Sequence, residues 1–94
     1  TETQRIGALA AAYQLRLAPH LWGGAIMYAA GFQVCIASPS AHILEYSLAY
    51  NPMQHELARN MFSIVDGGMA APEAPGLGIE INEDFVSQTT KQGG

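Results

Sequence analysis

The chain has 94 residues, of which 49% are aliphatic, aromatic or cysteine and 13% are charged, with a formal net charge of −4. A domain this short buries only roughly 60–65% of its unfolded surface, yet the chain is more apolar than a free-standing domain of that size, so it reads as an interior piece of something larger. Arg5, Arg16, Arg59 and Lys91 are scattered, which argues against nucleic acid and acidic membrane surfaces as partners.

Ile6, Leu9, Ala10 and Tyr13 recur at helical spacing, and Thr1 with Gln4 has the form of a capping box, so the first element is a helix beginning at residue 1 or 2. A free α-ammonium at that position would face the positive end of the helix dipole, so Thr1 reads as a cut, and residues 1–5 lack the layout of a signal peptide. Residues 15–20 follow as a short strand, with Pro19 near its end, where a missing N–H is tolerated. Gly23-Gly24 then opens an apolar helix over residues 25–37 that stops at Ser38-Pro39. This stretch is interrupted by Gln33 and too short to span a bilayer. Cys35, inside it, is the only cysteine; no internal disulfide can form, and a reducing, cytoplasmic compartment is the simpler expectation.

Residues 41–46 read as a second strand, so helix, strand, helix, strand follow one another in the rhythm of a parallel α/β fold. Asn51-Pro52 starts a short helix expected to run through Arg59. Residues 62–65 and 69–71 form a hairpin joined by Asp66-Gly67-Gly68. Pro72, Pro75, Gly76 and Gly78 impose turns, Asn82 caps a final short helix, and Gln92-Gly93-Gly94 reads as a frayed end.

In parallel α/β folds, sites form where strands end in loops. Alternation along the first strand puts Ala18 and His20 on one face, with Leu17 and Pro19 on the other, while Ile43 and Glu45 share a face of the second. Were the strands neighbours with those faces inward, His20 and Glu45 would open into one pocket. A histidine titrating near neutrality can take a proton from carbon or deliver one to a leaving hydroxyl, and a carboxyl group beside it can bind a substrate anion when protonated. His42 should point away from Glu45, and His55 belongs to the short helix, so both read as structural or exposed. Cys35 and the three histidines lack zinc-ligand spacing. Tyr28, Phe32 and Met27 read as packing residues.

Pro19-His20-Leu21-Trp22-Gly23, then Ile43-Leu44-Glu45-Tyr46, Asn51-Pro52 and Pro75-Gly76-Leu77-Gly78-Ile79 resemble, in order and spacing, the C-terminal third of enolase-superfamily enzymes of the mandelate racemase group, above all acid-sugar dehydratases and cycloisomerases. The resemblance implies that residues 1–50 are the last helices and strands of a (β/α)7β TIM-like barrel. It also implies that residues 51–94 are a tail packing on that barrel and on an α+β capping domain. The implied chemistry is abstraction of the proton α to a carboxylate through an enediolate on Mg2+. His20 falls on the catalytic base, which in dehydratases also helps hydroxide leave, Glu45 on the group that hydrogen-bonds the substrate carboxylate, and Trp22 on a substrate-lining position.

The resemblance also implies metal-binding carboxylates, a lysine-bearing strand and an aspartate that orients the histidine, and none of these matches a position here. The Mg2+ ligands are therefore expected in an N-terminal part that acts as this chain's partner in a homo-oligomer of the complete enzyme. The expected function is a Mg2+-dependent dehydratase of a sugar acid to which this chain supplies part of the site. The alternatives are a cycloisomerase, a racemase or epimerase, or a non-catalytic fragment or assembly partner.

Overall fold

The computed structural model describes residues 1–92; of the end expected to fray, Gln92 instead closes the last helix, and Gly93 and Gly94 lie outside the described residues. Helix α1 runs Glu2–Ala12 and α2 runs Ala25–Ala37. A single turn, α3, covers Pro52–His55, strands β1 (Ile64–Val65) and β2 (Gly68–Met69) form a hairpin, and α4 spans Glu83–Gln92. Thr1 stands at the N-cap of α1 without a side-chain capping bond, so the expected capping box does not close. The helix ends on Gln14 at φ 55°, with Leu15 N–H donating to Ala10 O at 2.8 Å and Gln14 N–H to Ala11 O at 3.1 Å. This is the Schellman arrangement, with glutamine in the left-handed position that glycine usually takes.

The segments expected as strands lie side by side and parallel, but they share one rung, Leu17 with Ala41. Leu17 N–H donates to Ser40 O at 2.8 Å and His42 N–H to Leu17 O at 3.0 Å. The next bond of a parallel ladder would run from residue 19 to His42 O, and Pro19 has no N–H to give. The expected alternation still holds: Leu17, Pro19, Leu44 and Tyr46 are half-buried, whereas Ala18, His20, Ile43 and Glu45 are exposed.

The core lies along α2, which buries Ala25, Tyr28, Ala29 and Phe32; Met27, expected to pack, lies on its outer side at 41% exposure. Ala25 joins Leu57 and Ala58 in a cluster covered by Met61, Ile79, Ile81 and Phe85. The helix expected through Arg59 stops at His55 because the chain is drawn into an isolated antiparallel bridge between Ala58 and Ile81. There Asn82 N–H donates to Leu57 O at 2.8 Å and Arg59 N–H to Glu80 O at 3.0 Å. The hairpin turn is Asp66-Gly67, with φ of 52° and 76°, the two-residue form that left-handed residues favour; Gly68 belongs to β2 rather than to the turn. Asn82 caps α4 as expected, its Oδ1 accepting from Phe85 N–H at 3.4 Å.

Cys35 is half-buried, and desolvation pushes its thiol above the ordinary cysteine range. Among the described residues no helix is long and apolar enough to cross a membrane.

Helix α1 buries only Gly7, where Ser40 Oγ donates to Gly7 O at 2.9 Å. Its apolar stripe, Ile6, Leu9 and Tyr13, stays 56–72% exposed. Faces of this kind drive association, so the isolated chain should self-associate in dilute solution or join the remaining polypeptide. Sedimentation velocity tests this, and a stable monomer with a cooperative thermal transition would contradict it.

Candidate functional site

His20 and Glu45 stand at adjacent tips of the parallel segments, and the structure brings them into direct contact. His20 Nδ1 lies 2.8 Å from Glu45 Oε2, with the imidazole largely exposed and the carboxylate about half so. The same Oε2 accepts Leu21 N–H at 2.7 Å. One carboxylate oxygen therefore bridges the histidine ring and the backbone just beyond it. Among the described residues, no hydrogen bond engages His20 Nε2 or Glu45 Oε1.

This differs from a pocket into which both side chains open. The cavity beside His20, about 390 Å³, is lined by Pro19, Leu21, Met27 and Val34 among others, and Glu45 is not in its wall. Two neighbouring strand tips make an exposed pair; enclosing it takes walls from further elements. Trp22, 68% exposed, lines a separate cavity of about 280 Å³ with Ser47, Tyr50, Asn51 and Gln54. The structure thus joins two of the three expected site residues and sets the third apart.

The other histidines lie elsewhere. His42 is exposed, its Nε2 3.1 Å from Arg16 Nη1 at the opposite end of the segments. His55 Nδ1 lies 2.8 Å from Asn51 O, and its ring stacks on Tyr50 with centroids 5.5 Å apart. Among the described residues no group of three or more His, Cys, Asp or Glu could hold a metal ion.

Sequence reasoning missed two buried polar side chains that bond Ser47. Tyr28 and Gln54, the largest fully buried side chains, are each 1% exposed. Tyr28 Oη accepts Ser47 N–H at 2.9 Å, and Gln54 Nε2 donates to Ser47 O at 3.1 Å. The Leu21 amide was also missed, because a backbone donor leaves no mark in a residue pattern.

Residues 1–85 match the family model described as enolase C-terminal domain-like. The D-galactarolactone cycloisomerase of Agrobacterium fabrum is 33% identical over 96 residues, covering 94% of this chain and 25% of that protein. The D-galactonate dehydratase of Xanthomonas campestris pv. campestris is 37% identical over 97 residues, covering 97% of this chain and 25% of that protein. A crystal structure of mandelate racemase/muconate lactonizing enzyme from Jannaschia sp. superposes with a TM-score of 0.78 at 33% identity, over 89% of this chain and 21% of that one. The chain thus spans about a quarter of the length of these curated relatives. With its α/β elements and most of its length matched, the chain belongs to the enolase C-terminal domain-like family.

Proposed function

We propose that the complete polypeptide is a Mg2+-dependent dehydratase of a sugar acid of the galactonate kind, to which this chain supplies His20 and Glu45. The contact of 2.8 Å between His20 Nδ1 and Glu45 Oε2 carries the reading. It fixes the imidazole through one nitrogen and leaves Nε2 to face a substrate, the arrangement that proton abstraction requires. In this reaction His20 takes the proton from the carbon α to the carboxylate. The C–O bond at the next carbon then breaks, the departing hydroxide receives a proton from the histidinium, and the enol formed tautomerises to a 2-keto-3-deoxy acid.

In this reading Glu45 Oε1 meets the substrate carboxylate, with a proton shared between them that Glu45 carries or borrows from His20. In the same reading residues 1–50 close a (β/α)7β barrel and residues 51–94 pack on it and on a capping domain. The rest of the polypeptide provides the Mg2+ ligands, and the complete enzyme works as a homo-oligomer in the cytoplasm.

The complete polypeptide, given Mg2+ and D-galactonate, should form a product with a new ketone carbon in its 13C spectrum, while the 94-residue chain alone should form none. Turnover of D-galactarolactone in place of galactonate would favour the cycloisomerase reading, which the 33% identical relative supports. Absence of both turnover and α-hydrogen exchange would favour a non-catalytic partner. Turnover by the chain alone would contradict its assignment as part of a site.

A further inference from the structure

Two large polar side chains are almost completely shielded from solvent, and both hydrogen-bond the same residue. Tyr28, on α2, is 1% exposed and Gln54, on α3, is 1% exposed. One accepts the Ser47 N–H at 2.9 Å, and the other donates to the Ser47 carbonyl at 3.1 Å. Burying a hydroxyl and an amide is unfavourable unless each is bonded, and no buried side-chain polar atom among the described residues lacks a partner. A leucine or phenylalanine would fill the same space without that demand, so filling space does not account for their polarity.

Ser47 lies two residues beyond Glu45 along the chain. Among the described residues, the main-chain pairing of this segment to residues 15–20 ends at the Leu17–Ala41 rung. Tyr28 also meets the intervening residue, its ring tilted against Tyr46 with centroids 5.2 Å apart. At the other end of the short segment, Glu45 Oε2 receives Leu21 N–H at 2.7 Å.

We propose that Tyr28 and Gln54 are positioning residues for Glu45: gripping Ser47 by both backbone groups, they hold the carboxylate between His20 and the Leu21 amide. The role in turnover rests on the reading of Glu45 given above. The placement itself does not.

The test uses the complete enzyme carrying Tyr28→Phe or Gln54→Met, each close in shape to the native side chain and lacking one bond to Ser47. Amide hydrogen exchange at residue resolution should speed up about 10-fold at Ser47, the scale of one lost hydrogen bond. It should speed up at Leu21 by a similar factor, although neither altered side chain bonds Leu21. With D-galactonate, kcat should fall about 10-fold while KM stays within about twofold, because small displacements of a catalytic group act on the chemical step. Phe32→Leu, at a buried position on the same helix, should lower the melting temperature and leave Leu21 exchange unchanged. Faster exchange at Ser47 with unchanged Leu21 exchange would overturn the proposal. If Leu21 loses protection while Glu45→Gln leaves turnover untouched, the positioning stands and the catalytic role given to Glu45 falls.

Discussion

Replacing His20 by asparagine in the complete enzyme should lower turnover by at least about 10²-fold, the usual scale of a positioned general acid–base, and leave Mg2+ affinity unchanged. Asparagine keeps a polar tip near Glu45 but has no group that titrates near neutrality. Glu45→Gln should be milder, at about 10-fold. The glutamine carbonyl can still accept the Leu21 N–H that Glu45 accepts at 2.7 Å, so the backbone beside His20 keeps its place. What is lost is charge beside the imidazole and acidity toward the substrate carboxylate. Steady-state rates on D-galactonate, with α-hydrogen exchange into deuterated solvent, separate the two variants. Near-native turnover of His20→Asn together with an inactive Glu45→Gln would make the histidine structural and remove the role assigned to it.

Gly78→Ala should destabilise the fold by about 3 kcal/mol, from two sources. Gly78 sits at φ +79°, where a side chain costs about 1–2 kcal/mol. A Cβ there would also run into the Pro72 ring, 2.5 Å from Cγ, and a proline ring has little freedom to give way, so overpacking adds about 1–3 kcal/mol. Gly76 separates the two effects: its φ is +68° with nothing within 4 Å of an added Cβ, so Gly76→Ala should show the backbone cost alone. Urea midpoints on the complete protein would reveal the difference, and equal losses at the two sites would show that the Pro72 contact relaxes freely.

The parts of the fold legible in the sequence are those settled by near neighbours. Asn82 caps α4 from three residues away, Asp66-Gly67 makes its own turn, and Gly23-Gly24 with Ser38-Pro39 brackets α2. Side-chain alternation also sorted His20 and Glu45 onto one face without any knowledge of their partners. What escaped depends on residues far along the chain. The helix expected through Arg59 is cut short by a bridge to Ile81. Gln54, on the one-turn helix, is buried with its amide on the Ser47 carbonyl, seven residues back along the chain. Trp22, two residues from His20, lines a different cavity, one walled by Tyr50, Asn51 and Pro52 from farther along the chain. The stripe that identifies α1 as a helix covers no core among the described residues.

The end of the ladder at Pro19 bears on how such a site can diversify. Main-chain pairing is indifferent to sequence, and where it continues it sets strand ends in a register that substitutions rarely shift. Among the described residues it stops at the Leu17–Ala41 rung, short of His20 and Glu45, and the spacing of the tips falls to side chains such as the carboxylate that joins His20 to Leu21. Point mutations can therefore respace the chemistry without disturbing the architecture. One scaffold can then be retuned toward ligands of different shape in small inherited steps.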